Sequence, residues 1–436
     1  MRRKITDNLL LWRNKLDRKP LLIDGARQVG KTYVISAFGR GNYDNVIYVN
    51  FETHLSIAAD FDNDITPEYI INCLEVFYKQ KILPGKTLIF FDEIQSCERA
   101  LTSLKYFYEA ASEYHIIAAG SLLGVAINRD KFSFPVGKVD RLHLYPMDFE
   151  EFLWAQESQL LAEKIRGCYI SNEPLPDMLH QQALTLYKNY LIVGGMPAVI
   201  NAYNIYHRLL DSADVQTLIV NSYIADMAKY AAPAQTTKIM SAFQSIPVQL
   251  AKENRKFQYK VIQKGGSSSM FGPSIDWLCA AGLVIKCHKV IQGKIPLAAY
   301  QDLSSFKLYM GDVGLLVLKS GMPAHNILTP IEINNTFFGA IAENYVACQL
   351  AVNGAHFYYW DSAYTAEIDF VIQDEDQVIP IEVKAGVHIR SRSLSVYREK
   401  YSPSYVIRVS AKNFGFENNI KSVPLYAVFC IKGKKE

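Results

Sequence analysis

The sequence predicts an α/β protein in three parts: a parallel sheet around a phosphate loop, a helical middle with a β-ribbon, and a second α/β domain. Three stretches carry this prediction. An apolar run enters a glycine-containing loop at residues 21–32, another at 88–91 ends in two acids, and a hairpin at 366–384 carries opposed carboxylates. Strands alternate with helices between the first two stretches, which indicates a parallel sheet whose ligand binds beyond the strand carboxyl ends.

The first stretch fits the phosphate-loop pattern G-x-x-x-x-G-K-[ST]. Its two glycines allow a tight turn, so that successive backbone N–H groups face phosphate oxygens. Lys31 would reach the β- and γ-phosphates of ATP, and the Thr32 hydroxyl would bind Mg²⁺. A chance match is disfavoured because the loop lies between a buried-type strand and a helix start. The predicted nucleotide-binding residues are Gly25, Ala26, Arg27, Gln28, Val29, Gly30, Lys31 and Thr32.

The second stretch, Leu88-Ile89-Phe90-Phe91, is typical of a parallel strand that is buried on both faces. Alone, an apolar run that ends in two acids could be a strand and its solvated turn. After a phosphate loop it is a Walker B motif, in which Asp92 holds Mg²⁺ through water and Glu93 polarises the attacking water. Ser121 closes a further buried strand at residues 115–120, where it could contact the γ-phosphate, cap a helix, or do both.

Composition is that of an ordinary globular protein, with 50% hydrophobic and 20% charged residues. The seven cysteines form no C-x-x-C pair, which argues against a zinc site and a disulfide framework. Residues 1–19 read as an amphipathic helix, no signal peptide is recognisable, and no run approaches a membrane span. These features predict a soluble, cytoplasmic protein that does not enter a membrane.

The middle of the chain is basic. Residues 226–330 hold 12 basic and 5 acidic side chains. Helices are predicted at 236–250, 259–262 and 267–281, then a ribbon with strands at 283–290 and 297–300, which is the order of a winged helix. We expect phosphate contacts with nucleic acid here, although packing or subunit contact is an equal alternative. The basic residues are Lys252, Arg255, Lys256, Lys260, Lys264, Lys286, Lys289 and Lys294.

The phosphate loop, residues 91–95, Gly120-Ser121 and residues 144–152 together resemble the AAA-type ATPases of bacteria and archaea. With the Gly-Gly-Met-Pro of residues 194–197, they look like the branch that carries a winged-helix region and a nuclease-like C-terminus. The resemblance implies ATP hydrolysis, ATP and Mg²⁺ as cofactors, and a homo-oligomeric ring. In such rings an arginine from the region after the fourth strand reaches the neighbouring subunit's γ-phosphate, and we select Arg129.

The third stretch pairs two strands around a turn at residues 375–376. This centre places Asp369 opposite Glu382, with Lys384 on the same face. Opposed carboxylates destabilise an ordinary sheet unless a cation lies between them. With Glu343 on a preceding helix, the pattern resembles the PD-(D/E)xK nuclease core, in which the acids, here Asp369 and Glu382, hold Mg²⁺ or Mn²⁺ and the lysine activates water. The rival is a domain that keeps these residues for binding.

The sequence therefore predicts an AAA-type ATPase domain at residues 1–155, a helical and winged-helix region at 156–330, and a restriction-endonuclease-like domain at 331–436. The leading function is ATP-driven action on nucleic acid, with DNA favoured and with metal-dependent cleavage by the last domain. The alternative is a non-cutting ATPase switch that controls binding to a protein or nucleic-acid partner. A small-molecule kinase would leave the basic middle and the C-terminal carboxylates unexplained.

Overall fold

The computed structural model describes residues 1–121, 123–127, 135–206, 208–253, 255–329, 336–362, 366–386 and 392–432. The chain forms two compact units. The N-terminal unit consists of residues 2–145 with 280–282, and the C-terminal unit of residues 146–279 and 283–436, together with Met1. Within the described ranges, no helix is both long enough and apolar enough to cross a lipid bilayer.

The N-terminal unit is built on a five-stranded parallel sheet in the order β2-β3-β4-β1-β5. Its strands are β1 (Leu21–Asp24), β2 (Asn45–Asn50), β3 (Thr87–Asp92), β4 (His115–Ala119) and β5 (Asp140–His143). Its helices are α1 (Ile5–Arg13), α2 (Lys31–Asn42), α3 (Leu55–Asn63), α4 (Pro67–Tyr78), α5 (Glu98–Ala110) and α6 (Leu123–Ile127). The predicted α/β sheet is confirmed.

Burial explains why β3 and β4 occupy inner positions of this sheet. Every residue of both strands is buried, so each strand must be covered on both faces, as their continuous apolar runs predict. Strand β4 lies between β1 and β3. The carboxyl ends of these three parallel strands therefore bring the phosphate loop, the two acids and Ser121 to one edge of the sheet.

The C-terminal unit combines helices with an eight-stranded mixed sheet in the order β12-β13-β11-β10-β9-β8-β6-β7. Its strands are β6 (Val284–Val290), β7 (Gln301–Met310), β8 (Phe357–Asp361), β9 (Glu367–Asp374), β10 (Gln377–Val383), β11 (Val406–Ser410), β12 (Gly415–Glu417) and β13 (Ile420–Pro424). Its helices are α7 (Phe149–Ala155), α8 (Gln159–Ser171), α9 (Asp177–Val193), α10 (Pro197–Tyr206), α11 (Leu209–Tyr230), α12 (Pro233–Leu250), α13 (Tyr259–Ile262), α14 (Ser268–Ala280), α15 (Val313–Ser320), α16 (Ala324–Leu328), α17 (Thr336–Val352) and α18 (Arg392–Tyr401).

The middle region contains the predicted helices, as α12, α13 and α14, and a ribbon made of β6 and β7. The strand predicted at 297–300 is wrong, because these residues form a 3-10 helix that follows Pro296, and β7 begins at Gln301. The ribbon also joins the C-terminal sheet, since β6 pairs in parallel with β8. Strands on both sides of residue 330 thus share one sheet, and the predicted division into three domains stays a prediction.

The Gly-Gly-Met-Pro turn is explained by a buried carboxylate. Asp312 caps α15 by accepting a hydrogen bond from Leu315 N–H at 2.9 Å, and its second oxygen accepts from Gly195 N–H at 2.6 Å. A Cβ on Gly194 would lie 2.3 Å from Asp312 Oδ1, and one on Gly195 would lie 2.1 Å from the Met147 carbonyl oxygen. The two glycines are therefore required by close packing.

Replacing Asp312 with Ala should lower the free energy of unfolding by about 2–4 kcal/mol, because two buried N–H groups lose their acceptor. Burial raises the pKa of Asp312 to about 6, against the bonds from Gly195 and Leu315 that lower it. A raised carboxyl pKa stabilises the fold at acid pH, and this contribution is lost as the pH rises through about 6. The stability of wild type relative to Asp312→Asn, which does not titrate, should thus fall between pH 4 and pH 7.

Urea denaturation of wild type and both variants across this pH range is the measurement. A constant difference between wild type and Asp312→Asn would contradict the titration. An Ala variant as stable as wild type would contradict the role of the cap.

Candidate functional site

The phosphate loop leaves β1 through two glycines in conformations that other residues rarely adopt. Gly25 has φ +144° and Gly30 has φ +94°. A Cβ on Gly25 would also lie 2.2 Å from the carbonyl oxygen of Leu144. Helix α2 then begins at Lys31. The loop therefore places a helix N-terminus and a lysine at the carboxyl edge of the sheet, which is an anion site.

Lys31 is held inside this loop. Its side chain is buried, and Nζ donates hydrogen bonds to the carbonyl oxygens of Gly25 at 2.8 Å and Ala26 at 2.9 Å. Burial lowers the pKa of Lys31 to about 8, while the charges of Glu93 and Asp92 act in the opposite direction. Phosphate oxygens carry charge and are stronger acceptors than carbonyls, so they would favour the ammonium form at this position.

Thr32 and Asp92 lie in direct contact. Thr32 Oγ1 donates to Asp92 Oδ2 at 2.8 Å, and the Tyr48 hydroxyl donates to the same oxygen at 3.0 Å. Burial is the largest influence on the pKa of Asp92 and raises it. A buried carboxylate beside a hydroxyl is a donor set that suits Mg²⁺, so the residues fit the ion that the motif implies. Tyr48 is a further site residue that belongs to no recognised motif, and its only sequence signal is a tyrosine in β2, the strand beside β3.

Glu93 and Ser121 meet, as their positions at the ends of β3 and β4 predict. Ser121 Oγ donates to Glu93 Oε2 at 3.3 Å, and Gln95 Nε2 donates to the same oxygen at 2.6 Å. A Cβ on Gly120 would lie 2.3 Å from Gln95 Oε1, so the glycine leaves room for this amide. Gln95 is a further site residue that the sequence analysis quoted only as part of a motif. Arg129 lies outside the described residues.

The C-terminal hairpin has the predicted register. Strand β10 pairs with β9 from Gln377 opposite Asp374 to Ile381 opposite Phe370, so the next positions along are Glu382 and Asp369. Asp369 Oδ2 accepts a hydrogen bond from the Val383 N–H at 2.7 Å. Lys384 Nζ lies 3.2 Å from Glu382 Oε1, and the carboxylate of Glu382 is buried.

Glu343 lies in a different set of contacts. It forms an ion pair with Arg255, its Oε2 lies 3.5 Å from Lys307 Nζ, and it accepts a hydrogen bond from the Tyr309 hydroxyl at 3.2 Å. Among the residues that the structure describes, no group of three or more His, Cys, Asp or Glu side chains is arranged to hold a metal ion. A divalent ion at the hairpin would therefore take at most two such ligands from the described chain. Metal binding by the two predicted ligands, Asp369 and Glu382, stays a prediction, and Glu343 is engaged elsewhere.

Several of the basic residues predicted to contact phosphates are paired with acids instead. Arg255 pairs with Glu343, and Lys286 pairs with Asp276 at 2.7 Å. Asp361 receives Lys256 at 2.8 Å and Lys289 at 2.9 Å. These four side chains already contact acids within the unit, so counting all of their charges as available overstates its attraction for a polyanion. Lys260, Lys264 and Lys294 are exposed.

Comparison with known proteins finds family matches for three parts of the chain. Residues 17–153 match the family described as AAA domain, residues 184–326 match a domain of unknown function (DUF8612), and residues 338–428 match another (DUF4143). No curated protein matches the chain.

Among solved structures, a Walker-type ATPase of Pyrococcus abyssi matches at 12% identity with a TM-score of 0.45, over 73% of this chain and 95% of that chain. The ORC2 protein of Aeropyrum pernix, in ADPNP–ADP complexes, matches at 13% identity with a TM-score of 0.36, over 78% of this chain and 91% of its own. AMPPCP-bound DnaA of Aquifex aeolicus matches at 15% identity with a TM-score of 0.27, over 62% and 85%. The match to the AAA domain covers residues 17–153, which include the phosphate loop described above, and the two matched regions of unknown function follow it in the chain.

Proposed function

We propose that this chain hydrolyses ATP with the side chains gathered at the carboxyl edge of the N-terminal sheet. The observation that carries the proposal is the contact of Thr32 with Asp92 beside a lysine bonded into the phosphate loop. Lys31 binds the β- and γ-phosphates. Mg²⁺, held by Thr32 and Asp92, would offset phosphate charge. Glu93 orients the attacking water and accepts its proton, and Ser121 positions that carboxylate.

The finer proposal is that ATP hydrolysis drives action on nucleic acid, with DNA as the first partner to test. Its support is the excess of basic over acidic residues at 226–330. The candidates for phosphate contact are the lysines of this region that are exposed in the structure. Lys260 is on α13, Lys264 follows that helix, and Lys294 is in the loop after β6. An exposed lysine can contact the phosphate groups of DNA without breaking an ion pair inside the protein. Such contacts position the protein on DNA but do not distinguish one base sequence from another.

A Lys260→Glu, Lys264→Glu double variant should bind duplex DNA more weakly than wild type at low salt. Each lost phosphate contact should also flatten the log–log dependence of affinity on salt by about 0.9. The loss should be similar for all DNA sequences. Fluorescence anisotropy across a salt series measures both quantities.

The matched control is Lys164→Glu, Lys412→Glu, which makes the same change of charge at exposed lysines outside the basic region. Equal weakening by both pairs would indicate a general effect of net charge. Unchanged DNA affinity in the Lys260→Glu, Lys264→Glu variant would indicate that this surface contacts protein instead. It would favour the alternative of a non-cutting ATPase switch.

We also propose a homo-oligomeric ring in which Arg129 reaches the γ-phosphate of a neighbouring subunit. Its support is the resemblance to ring-forming ATPases, together with ion pairs that engage two other basic residues of that stretch. Arg141 pairs with Asp24 at 2.7 Å, and Lys138 pairs with Glu109 at 3.0 Å. An arginine acting between subunits is worth roughly 10³–10⁵ in rate where it has been measured.

Metal-dependent cleavage of nucleic acid is the second candidate. The observation in its favour is the hairpin register, which sets Asp369 beside Glu382 with Lys384 in contact. Nicking of a plasmid that requires Mn²⁺ and is abolished by Asp369→Ala would be its signature. The engagement of Glu343 by Arg255 favours the non-cutting reading.

A further inference from the structure

Two carboxylates of the C-terminal unit, that of Glu343, which is buried, and that of Glu367, which is half-buried, have cationic side chains as their partners. Glu343 on α17 is 2% exposed and pairs with Arg255. Lys307 on β7 has no exposed side-chain surface, and its Nζ lies 2.5 Å from Glu367 Oε1 as well as 3.5 Å from Glu343 Oε2. The Tyr309 hydroxyl donates to Glu343. Burial of charges is costly unless they are paired, and here each buried charge lies beside an opposite one.

Helix α17 is shaped to accept the guanidinium. Gly339 precedes Glu343 by four residues, so both lie on the same face of the helix. A Cβ on Gly339 would lie 2.7 Å from Arg255 Nη2. The absence of a side chain there lets the arginine lie against the helix and reach the carboxylate one turn later. The contact is therefore built into the helix surface.

Asp361 is the centre of a second cluster in which a largely buried carboxylate is paired with cationic side chains. The side chain of Asp361, at the end of β8, is 6% exposed and contacts both Lys256 and Lys289. Lys256 directly follows Arg255, so one segment of the middle region supplies a cation to each cluster. The hairpin acids are also engaged, Asp369 by a backbone N–H and Glu382 by Lys384.

We propose that Arg255 and Lys307 act as built-in counter-ions that take the place of a divalent metal ion on the C-terminal carboxylates. A divalent ion could bind Glu343 only by displacing Arg255, because the ion and the guanidinium would compete for the same carboxylate. The unit therefore keeps the acids of the nuclease-like pattern, but Glu343 is paired with Arg255 and Lys307 of the middle region, and Glu382 is contacted by Lys384. Because the inference concerns the C-terminal unit alone, it does not depend on the proposed ATP hydrolysis or on nucleic-acid binding.

Thermal melting of the full chain without nucleotide, with and without Mn²⁺, tests the inference. Wild type and Glu343→Gln should show the same response to Mn²⁺, because no ion is bound through that carboxylate. Arg255→Ala should melt at lower temperature and recover by a few degrees when Mn²⁺ is added, since the ion replaces the lost cation. Calorimetric titration with Mn²⁺ should show a new binding event in this variant.

Three further variants separate this effect from general instability. Lys256→Ala removes the adjacent cation, but Asp361 retains Lys289, so its melting should not respond to Mn²⁺ beyond wild type. Arg255→Lys keeps the charge and should also show no added response. The double variant Arg255→Ala, Glu343→Gln removes the carboxylate that the ion would bind and should lose the recovery.

Two outcomes would overturn the inference. One is Mn²⁺-dependent stabilisation of wild type that Glu343→Gln or Asp369→Ala abolishes, because a metal would then be bound with Arg255 in place. The other is an Arg255→Ala protein whose melting ignores Mn²⁺. The comparison of wild type with Glu343→Gln and Asp369→Ala stands even if Arg255→Ala does not fold.

Discussion

Replacing Glu93 with Gln should leave ATP binding close to wild type and slow hydrolysis by about 10²–10⁴-fold, the usual contribution of a general base. Lys31, Thr32 and Asp92 remain in place, so the phosphate and metal contacts survive. A glutamine amide is neutral and cannot act as the base that accepts a proton from water. Single-turnover phosphate release, combined with binding of a fluorescent ATP analogue, separates the two effects.

Ser121→Ala is the matched control for this prediction. It removes the 3.3 Å contact with Glu93 Oε2 but keeps the carboxylate and its bond from Gln95. Hydrolysis should fall by less than in Glu93→Gln. Wild-type turnover in Glu93→Gln would show that another group handles the water.

Replacing Lys31 with Met should weaken ATP binding on the order of 10²-fold or more, because charged hydrogen bonds to the phosphates are lost. Methionine has a similar length and fills the buried channel that the lysine stem occupies, so the fold should be retained. The change therefore isolates the ammonium group, which donates to the Gly25 and Ala26 carbonyls at 2.8 and 2.9 Å. Equilibrium binding of ATP with Mg²⁺ is the measurement.

Equal stability of Lys31→Met and wild type in the absence of nucleotide is the control for folding. Nucleotide should then raise the melting temperature of wild type but not of the variant. Unchanged ATP affinity in Lys31→Met would place the phosphates elsewhere, against the geometry of the loop.

The N-terminal site could be predicted because its information is local. The phosphate loop is a continuous motif, and the apolar runs of β3 and β4 reveal strands buried on both faces. The C-terminal hairpin was predictable for a similar reason, since a short turn fixes the register of two adjacent strands. In each case the residues that must meet are close in sequence or follow strands that end at the same edge.

The partners of the basic residues could not be predicted, because they are distant in sequence. Arg255 contacts Glu343, and Lys289 contacts Asp361, within a sheet in which β6 pairs with β8. The sequence alone does not reveal that pairing. A charge count records how many cations a stretch has, but not which are already neutralised. The position of Lys307 could have been noticed in the sequence, because it is a single lysine within the otherwise apolar second half of β7. Such a residue needs an acid beside it, and Glu343 and Glu367 supply one.

The strand error at 297–300 has a local cause. Leu297-Ala298-Ala299-Tyr300 is apolar but short, and Pro296 before it removes a backbone donor. The true strand begins with exposed and half-buried residues and becomes fully buried only from Phe306. The alternation that marks a strand is therefore missing where β7 starts.

The parallel pairing of β6 with β8 limits how this chain can be divided and recombined. β6 lies in the segment matched at 184–326 and β8 in the segment matched at 338–428. Cutting between them would leave β6 and β7 in one fragment as a two-stranded ribbon, which is marginally stable by itself. It would also remove the neighbour of β8 and expose a sheet edge that promotes aggregation. The two regions of unknown function should therefore be inherited as a single module, and an exchange between related genes could replace the ATPase domain but not one of these regions without the other.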